Sequence, residues 1–253
     1  MNRIELIKEI FKRNKFNTYL EIGTRSGTSF FPIRCRHKIA IDPDFAVPWE
    51  KKAKWIIKNP RNLSAKYFEE TSDNFFRYRQ SFLEKTGKID VVLVDGLHTF
   101  LASLNDVLNS LYYLNNDGVI IMHDCLPPNE AAALPTKQFP TEEERNVEGW
   151  SDQWNGDVWK SIVYLRRKLS HLVDVFVLDT DYGLGIIRKK NKNREKVKID
   201  KKLFDDIDAM TYHDLISNVK DLLGVRDVSE IPSILDNISA PADHTVFTLG
   251  SQE

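Results

Sequence analysis

The chain has 253 residues, of which 42% are hydrophobic and 29% are charged, and its formal net charge is -1. This length and composition are typical of a globular chain with one large domain, or one domain with an appendage, and exclude a disordered chain. The net charge near zero excludes a global basic field of the kind that attracts nucleic acid or an anionic membrane.

The cysteines, Cys35 and Cys125, are too few for a disulfide framework and lack the spacing of a zinc site. Two local basic runs, at 34–38 and 188–198, are interpreted as solvated surface. The first residues mix charges into apolar positions, which is typical of an amphipathic helix and not of a signal peptide. No segment has the apolar length of a membrane span. We therefore expect a cytoplasmic protein with no membrane span and no nucleic-acid partner.

The first part of the chain is predicted to form a helix followed by two buried strands. Hydrophobic spacing predicts the helix over 2–14, and β-prone apolar runs predict strands over 18–22 and 38–43. A sharp glycine turn follows the first strand, and we expect only a short helix before the second because Pro32 lies in that interval. Residues 44–64 are interrupted by prolines and show a mixed pattern.

Strands and helices then alternate along most of the chain. The predicted elements are an edge-like strand over 66–69, a helix over 73–85 capped at Thr71–Asp73, a strand over 89–95, a helix over 99–114, a strand over 119–122, a helix over 156–170, and strands over 173–178 and 183–188. The last two strands are expected to form an antiparallel hairpin at one edge. This alternation indicates an α/β fold, a Rossmann-like, doubly wound and mostly parallel sheet of seven strands.

Residues 125–155 break the alternation, since they carry four prolines, an acidic cluster and tryptophans. A stretch of this length without regular structure inside a domain is usually functional or disordered. Trp150, Trp154 and Trp159 either stack on a sugar beneath a lid or anchor the segment to the core.

After residue 190 the composition shifts to Lys-rich and then amphipathic helical sequence. We expect a helical extension over 191–253, appended to a domain over 1–190. The extension is expected to pack on the domain, close a substrate site or form the face of a homodimer, and it ends in a loose tail over 239–253.

The first candidate site is the glycine turn that follows the first strand, Glu21-x-Gly23-x-x-x-Gly27. Glycine lets the backbone turn sharply and lets a ligand lie against bare main chain at the carboxyl edge of an open sheet. Asp42 ends the next strand, where a carboxylate can bind both hydroxyls of a ribose. The alternative interpretation is that Asp42 only caps a turn.

The second candidate site consists of acids and histidines that follow two further strands. Asp95 and His98 follow one strand, and His123 and Asp124 follow the next. Because the carboxyl ends of parallel strands open onto one rim, we expect these side chains to converge. Two carboxylates and two imidazoles can bind a divalent ion, or supply a general base near neutral pH. The alternative is that the acids cap turns and the histidines hydrogen-bond to them.

These pieces together resemble a known family. Glu21–Gly27 resembles the first motif of class I S-adenosylmethionine-dependent methyltransferases, and Asp42 matches their acid at the end of the second strand. Thr71–Asp73 matches the short motif that commonly lines the adenine. Val94–His98 followed by Gly118–Asp124 is similar to the branch of macrocin-type sugar O-methyltransferases, and cephalosporin-hydroxylase-like proteins look close to that branch.

The resemblance covers about residues 15–190 and implies the ligands of each site. The implied cofactor contacts are Glu21, Gly23, Thr24 and Gly27 for the methionine end of S-adenosylmethionine, Asp42 for its ribose, Ser72 and Asp73 for its adenine, and Asp95 beside the methionine portion or a metal. In metal-dependent relatives, carboxylates after the fourth and fifth strands hold magnesium. The implied Mg²⁺ ligands are Asp95, His123 and Asp124, and the implied catalytic residues are His98, His123 and Asp124, with one histidine accepting the proton.

The resemblance thus predicts an S-adenosylmethionine-dependent O-methyltransferase that acts, with or without Mg²⁺, on a hydroxyl of a sugar, glycan or glycosylated metabolite. One alternative is a metal-dependent oxygenase in which His98, His123 and one acid bind iron as a facial triad. A second alternative is a non-catalytic binding protein. A nicotinamide dehydrogenase is disfavoured because the glycine turn lacks the G-x-G-x-x-G pattern.

Overall fold

The structure is a computed structural model that describes residues 1–190 and 196–239. The helices are α1 (Arg3–Arg13), α2 (Trp49–Lys58), α3 (Ser72–Tyr78), α4 (Gln80–Thr86), α5 (Phe100–Tyr113), α6 (Trp159–Lys168), α7 (Lys201–Asp208), α8 (Tyr212–Ser217), α9 (Val219–Leu223) and α10 (Ile231–Ser239). The strands are β1 (Thr18–Ile22), β2 (His37–Asp42), β3 (Lys66–Glu69), β4 (Ile89–Val94), β5 (Leu114–Met122), β6 (Val173–Leu178), β7 (Leu184–Lys189) and β8 (Val225–Arg226). The predicted loose tail lies outside the described residues from residue 240 onward.

The strands form one sheet in the order β3-β2-β1-β4-β5-β7-β6-β8. In the described part of the chain, β7 runs antiparallel to both neighbours and every other pair is parallel. The predicted mostly parallel α/β sheet is therefore confirmed. It has eight strands instead of seven, because the short β8 pairs with the end of β6. The predicted hairpin of β6 and β7 forms, but β8 covers β6 at the edge where the hairpin was expected to end the sheet.

Helices cover both faces of the sheet. The side chains of α3 to α9 pack on one face, and those of α1, α10 and the connection between β1 and β2 pack on the other. All residues of β4 are buried, as a strand sandwiched between two helical layers requires. The carboxyl-terminal extension contributes to both layers, through Ile207 and Leu223 on one face and Ile234 and Leu235 on the other. It packs on the domain, while the division at residue 190 stays a prediction.

The expected short helix between β1 and β2 is replaced by consecutive turns. Gly27 has a φ of +71°, outside the helical region, and Pro32 lies at the end of the turns. Phe30, Phe31 and Ile33 are nevertheless fully buried. The connection therefore forms a compact turn segment that buries its apolar side chains without a helix.

A helix absent from the prediction, α2, occupies part of the proline-rich stretch over 44–64. Pro48 precedes its first residue, where the missing N–H of proline costs nothing and its fixed φ suits a helix start. The predicted helix over 73–85 is divided at Arg79 into α3 and α4. Strand β5 begins at Leu114, directly after α5, so residues 115–118 extend the strand instead of separating it from the helix.

Across the described residues, no helix combines the length and the apolar character that crossing a membrane requires.

Candidate active site

Most of the predicted site residues lie along one edge of the sheet, at the carboxyl ends of neighbouring strands. In this order of strands, the chain leaves β1 toward β2 and β3, then returns to β4 on the other side of β1. The gap between β1 and β4 is therefore the topological switch point, where open α/β sheets bind ligands at the carboxyl ends of their strands. The residues along this edge are Ser72 and Asp73 after β3, Asp42 ending β2, the turn of residues 23–27 after β1, Asp95 after β4, and His123 and Asp124 after β5.

Gly23 lies where the ends of β1 and β4 approach most closely. Its φ is +84°, and a Cβ at this position would lie 1.9 Å from the carbonyl oxygen of Asp95. The Gly23 amide donates to the carbonyl of Ile41 over 2.9 Å, and the Asp95 amide donates to the carbonyl of Ile22 over 2.9 Å. The glycine is therefore required by backbone packing, which brings the turn and the end of β4 into one continuous surface.

Asp42 holds the glycine turn in place. Its Oδ2 accepts from the Arg25 amide over 2.7 Å, and its Oδ1 accepts from the Asp44 amide over 2.8 Å. These bonds agree with the interpretation of Asp42 as a turn residue. A carboxylate has about four acceptor positions, so two remain for a pair of ligand hydroxyls. The two interpretations of Asp42 are compatible, and its chemistry fits a ribose.

Glu21 and Thr24 do not line this edge. Glu21 is 0% exposed, and its carboxylate accepts from the Tyr19 hydroxyl over 2.5 Å and from the Ser29 hydroxyl over 2.9 Å. Burial raises the pKa of Glu21 to about 7. Thr24 is 3% exposed and donates its hydroxyl to the Glu21 carbonyl. Both side chains point into the protein and support the turn from within, so a cofactor contact of the turn would be made by its main chain.

Ser72 and Asp73 lie at the start of α3, beside an acid that the sequence analysis did not single out. Asp106 of α5 is 2% exposed and accepts a hydrogen bond from the Ser72 side chain. Its Oδ1 is buried and has no hydrogen-bond partner among the described residues. Burial raises the pKa of Asp106 to about 7, and the negative charge of Asp73 raises it further. An acid within the buried face of α5, between Leu104 and Val107, is the sequence signal that could have revealed it.

Replacement of Asp106 by asparagine is expected to reduce the pH dependence of stability. The folded-state pKa of about 7 exceeds the ordinary value of 3.8, so the neutral form favours folding at acid pH. The neutral carboxyl contributes up to about 4 kcal/mol to the free energy of unfolding, and this contribution is lost as pH rises through 7. Urea unfolding of Asp106→Asn between pH 4 and 8 should show a flatter profile than wild type. The exposed Asp117→Asn is the control, and an unchanged profile in Asp106→Asn contradicts the assignment.

Asp95, His98 and Asp124 form a candidate metal centre. One donor atom from each lies within 4.8 Å of the other two. His98 Nε2 is 3.2 Å from Asp124 Oδ2 and 3.7 Å from Asp95 Oδ1. His98 Nδ1 lies 2.7 Å from the Trp154 carbonyl, which can only accept, so Nδ1 carries a proton and Nε2 faces the carboxylates. Metal-bound histidines usually have this arrangement, with the second nitrogen donating to a fixed acceptor.

The end of the 125–155 segment positions Asp124. Its Oδ1 accepts from Asn155 Nδ2 over 3.0 Å and from Gln153 Nε2 over 3.3 Å, which leaves Oδ2 facing the histidines. Asp124 has a φ of +61°, an uncommon conformation for a residue with a side chain. Trp154 is 6% exposed and its ring lies 5.2 Å from that of His98, while Trp159 is 1% exposed. These two tryptophans therefore anchor the segment.

His123 lies against the same two carboxylates, with its Nδ1 3.3 Å from Asp95 Oδ1. Its Nδ1 is 2.7 Å from Asp124 Oδ2, and its Nε2 is 2.8 Å from Arg3 Nη1. Burial lowers the pKa of His123, but hydrogen bonds to Asp124, Asp181 and Asp95 outweigh that effect and raise the pKa well above its ordinary value. Both ring nitrogens are thus engaged by neighbouring side chains. The donor atoms that converge within 4.8 Å belong to Asp95, His98 and Asp124, and a role of His123 as a metal ligand stays a prediction.

Arg3 and Asp181 complete the cluster, and the sequence analysis missed both. Arg3 Nε lies 3.4 Å from Asp95 Oδ2, and Arg3 Nη1 lies 3.2 Å from Asp181 Oδ2. Burial disfavours the charge of Asp95, but hydrogen bonds from His123 and His98 lower the pKa of Asp95 below its ordinary value. Three carboxylates, those of Asp95, Asp124 and Asp181, face one guanidinium, which leaves two negative charges for the histidines or a divalent cation to balance.

Comparisons with known proteins match part of the chain to a family model and its fold to solved structures. Residues 20–125 match a family model described as a methyltransferase domain. The fold is similar to that of a candidate caffeoyl-CoA O-methyltransferase from Staphylococcus aureus, with 16% identity over 74% of this chain and 82% of that one, and a TM-score of 0.51. It is also similar to a candidate O-methyltransferase from Klebsiella pneumoniae, with 11% identity over 75% and 80% of the two chains and a TM-score of 0.50. No curated protein sequence matches the chain.

Proposed function

We propose that this chain, which carries a methyltransferase domain over residues 20–125, transfers a methyl group from S-adenosylmethionine to an acceptor hydroxyl with the help of a divalent metal. The observation that carries the proposal is the convergence of Asp95, His98 and Asp124 within 4.8 Å, at the strand ends next to the glycine turn. S-adenosylmethionine, when bound, supplies a methyl group on a positively charged sulfur, ready for attack by an oxygen in line with the leaving sulfur.

The cofactor crevice runs along the strand ends from α3 to β4. The turn of residues 23–27 offers main chain without side-chain bulk at its glycines, and Asp42 has acceptor positions left for ribose hydroxyls. Asp73 is exposed at the start of α3, while Asp106 fixes Ser72 from behind. The residues assigned to direct contact are Gly23, Gly27, Asp42, Ser72 and Asp73, and Glu21 and Thr24 support the turn.

The donor set favours a hard cation. One imidazole and two carboxylates offer mostly oxygen ligands, which Mg²⁺ and Mn²⁺ prefer. The residues would hold the ion beside the acceptor hydroxyl, lower the pKa of that hydroxyl and orient its oxygen. A facial triad for iron needs two histidines and one carboxylate, and His123 is engaged by Arg3 and Asp124 instead. The oxygenase alternative is therefore weaker than the methyltransferase proposal.

A cavity of about 800 Å³ adjoins the metal centre and is assigned to the acceptor. Its wall begins at Thr99, the residue after His98, and includes Leu134, whose carbonyl accepts from the Trp154 indole. The lining combines an apolar part with a charged part. The apolar side chains are Phe100, Leu101, Trp159, Phe204, Met210 and Tyr212, and the charged residues are Glu130, Lys137, Asp157, Lys160 and Asp208. Because the apolar part of the lining favours an apolar body, a glycosylated metabolite fits better than a free glycan.

Replacement of Leu101 by glutamate is expected to raise the KM for the acceptor about tenfold, because a charge in the apolar part of the cavity opposes binding of an apolar body. Leu101 is 52% exposed, so the variant should fold normally. The affinity for S-adenosylmethionine should not change, since the cavity lies away from the glycine turn. Ile216→Glu, at a side chain that is 53% exposed outside the cavity, is the matched control. Equal KM values in the two variants would contradict the cavity assignment.

The function is tested by following S-adenosylhomocysteine formation with Mg²⁺ over a panel of apolar glycosides, their aglycones and free sugars. The expected result is turnover with a hydroxylated apolar glycoside and much less with the free sugar. Cofactor binding without turnover on any acceptor would favour a non-catalytic binding protein. Oxygen consumption by the iron-loaded protein, in the absence of cofactor binding, would favour the oxygenase.

A further inference from the structure

The most exposed large apolar side chains of the described residues are concentrated in one short stretch. Ile57 is 82% exposed, Trp49 is 75% exposed and Leu63 is 70% exposed. Two of them belong to α2, a helix that contains no buried residue, and the third belongs to the turn that follows. Singly exposed apolar residues are common on protein surfaces, but the three largest exposures within 15 positions call for an explanation.

Two adjoining cavities next to α2 are rimmed by positive charge. Their volumes are about 640 and 820 Å³, and they share Arg34 and Asn59. We name them together the basic cleft. Its cationic residues are Lys8, Lys12, Arg34, Arg36, Lys58 and Arg61, and no carboxylate lines either cavity.

Most of this charge is not neutralised within the protein. Lys12 pairs with Glu9 over 3.4 Å, and none of the other five cleft cations forms an ion pair with a described residue. Helix α2 adds three more lysines beside Lys58, against one glutamate. Although the net charge of the whole chain is -1, its positive charges are concentrated on this face.

The basic cleft is separate from the candidate active site. Arg34 and Arg36 precede β2, and Phe16 and Asn17, which also line the cleft, precede β1. These positions lie at the amino ends of the strands, whereas Asp42, Asp95 and Asp124 follow the carboxyl ends. Neither the cofactor nor the acceptor proposal uses this face.

We propose that α2, the turn over 60–64 and the basic cleft form a docking surface for an anionic phospholipid membrane. Cations near such a membrane are attracted to its negative surface, and tryptophan and aliphatic side chains beside them insert at the headgroup level. Nucleic acid would satisfy the cations but would leave Ile57 and Leu63 in water. The combination of unpaired cations and exposed apolar side chains therefore favours lipid.

The test measures co-sedimentation of the full chain with phosphatidylcholine vesicles with and without phosphatidylserine. The expected result is binding only to the vesicles that contain phosphatidylserine. In the variant Arg34→Glu/Lys58→Glu/Arg61→Glu, affinity should fall by more than about 100-fold, since each basic residue contributes roughly fivefold. Ile57→Ser/Leu63→Ser should also lower affinity, and quenching by brominated lipid should be lost in Trp49→Phe.

Matched controls separate this surface from charge in general. Lys85→Glu/Lys202→Glu/Lys220→Glu makes the same change in net charge at exposed lysines elsewhere and should bind vesicles like wild type. Equal loss in this control, or no binding of wild type to phosphatidylserine vesicles, would overturn the proposal. Tighter binding to RNA or duplex DNA than to vesicles, unaffected by Ile57→Ser/Leu63→Ser, would also overturn it in favour of a nucleic-acid surface. Thermal unfolding of each variant verifies that it is folded.

Discussion

Asp124→Asn is expected to abolish metal binding and to lower the rate of methyl transfer by at least about 100-fold. The substitution removes one of the two carboxylates that face His98 Nε2, while asparagine tolerates the φ of +61° at this position. The amide can still accept from Asn155 or Gln153, so the fold should be retained. Titration with Mn²⁺ followed by electron paramagnetic resonance measures the metal, and S-adenosylhomocysteine formation measures the rate.

Asp152→Asn provides the matched control for this experiment. Asp152 lies on the 125–155 segment, whose end positions Asp124, and it also has a positive φ, of +59°. Its carboxylate accepts a hydrogen bond from the Trp150 indole and does not belong to the candidate metal centre. It should bind Mn²⁺ and turn over like wild type. If Asp124→Asn also kept wild-type Mn²⁺ affinity and rate, the assignment of this cluster as a metal centre would be wrong.

Gly23→Ala is expected to destabilise the protein by about 3 kcal/mol or more. The fraction of the variant that remains folded is expected to lose cofactor binding. Two effects add at this position. The φ of +84° is unfavourable for a residue with a Cβ, and that Cβ would lie 1.9 Å from the Asp95 carbonyl oxygen, so the ends of β1 and β4 must separate. Urea unfolding measures the free energy, and calorimetry with S-adenosylmethionine measures binding.

Gly87→Ala isolates the conformational part of that cost. Gly87 has the same φ of +84°, but a Cβ there would have no atom within 4 Å. The expected destabilisation is about 2 kcal/mol, from backbone strain alone, with unchanged cofactor affinity. Similar destabilisation in the two variants would show that the close approach of β1 and β4 does not constrain the turn.

The strands and the edge of the site could be predicted because their signals are local. Short β-branched and apolar runs mark the central strands, and polar residues directly after them mark the strand ends. Once the alternation with helices indicates a parallel sheet, the convergence of Asp95, His98 and Asp124 follows from topology alone.

The remaining features depend on contacts between distant parts of the chain. Arg3 contacts His123, which is 120 residues away in the sequence, and Asp181, which is 178 residues away. No local sequence pattern predicts either contact. The two-residue strand β8 is too short to show the alternation of apolar and polar residues that predicts a strand. Glu21 lies in a strand buried on both faces, so the sequence could not tell that its carboxylate points toward Tyr19 and Ser29.

The different surroundings of His98 and His123, on which the proposed metal centre rests, are also beyond what a sequence pattern predicts. Both histidines follow strand ends, and both lie within hydrogen-bonding range of Asp124. The difference arises from their other partners, a main-chain carbonyl for His98 and the Arg3 guanidinium for His123. Those partners come from the 125–155 segment and from α1, whose positions only the tertiary structure defines.

The central claim, that the crevice at the strand ends binds S-adenosylmethionine, is tested most directly by calorimetry of wild type, Asp42→Ala and Asp44→Ala. Asp44 contributes its amide to the Asp42 carboxylate, so its side chain is dispensable and its variant is the control. The account predicts saturable binding to wild type and Asp44→Ala, and loss of that binding in Asp42→Ala. Thermal unfolding measures in parallel the stability that Asp42→Ala loses when the Arg25 and Asp44 amides lose their acceptor. No heat of binding to wild type, with or without Mg²⁺, would contradict the account.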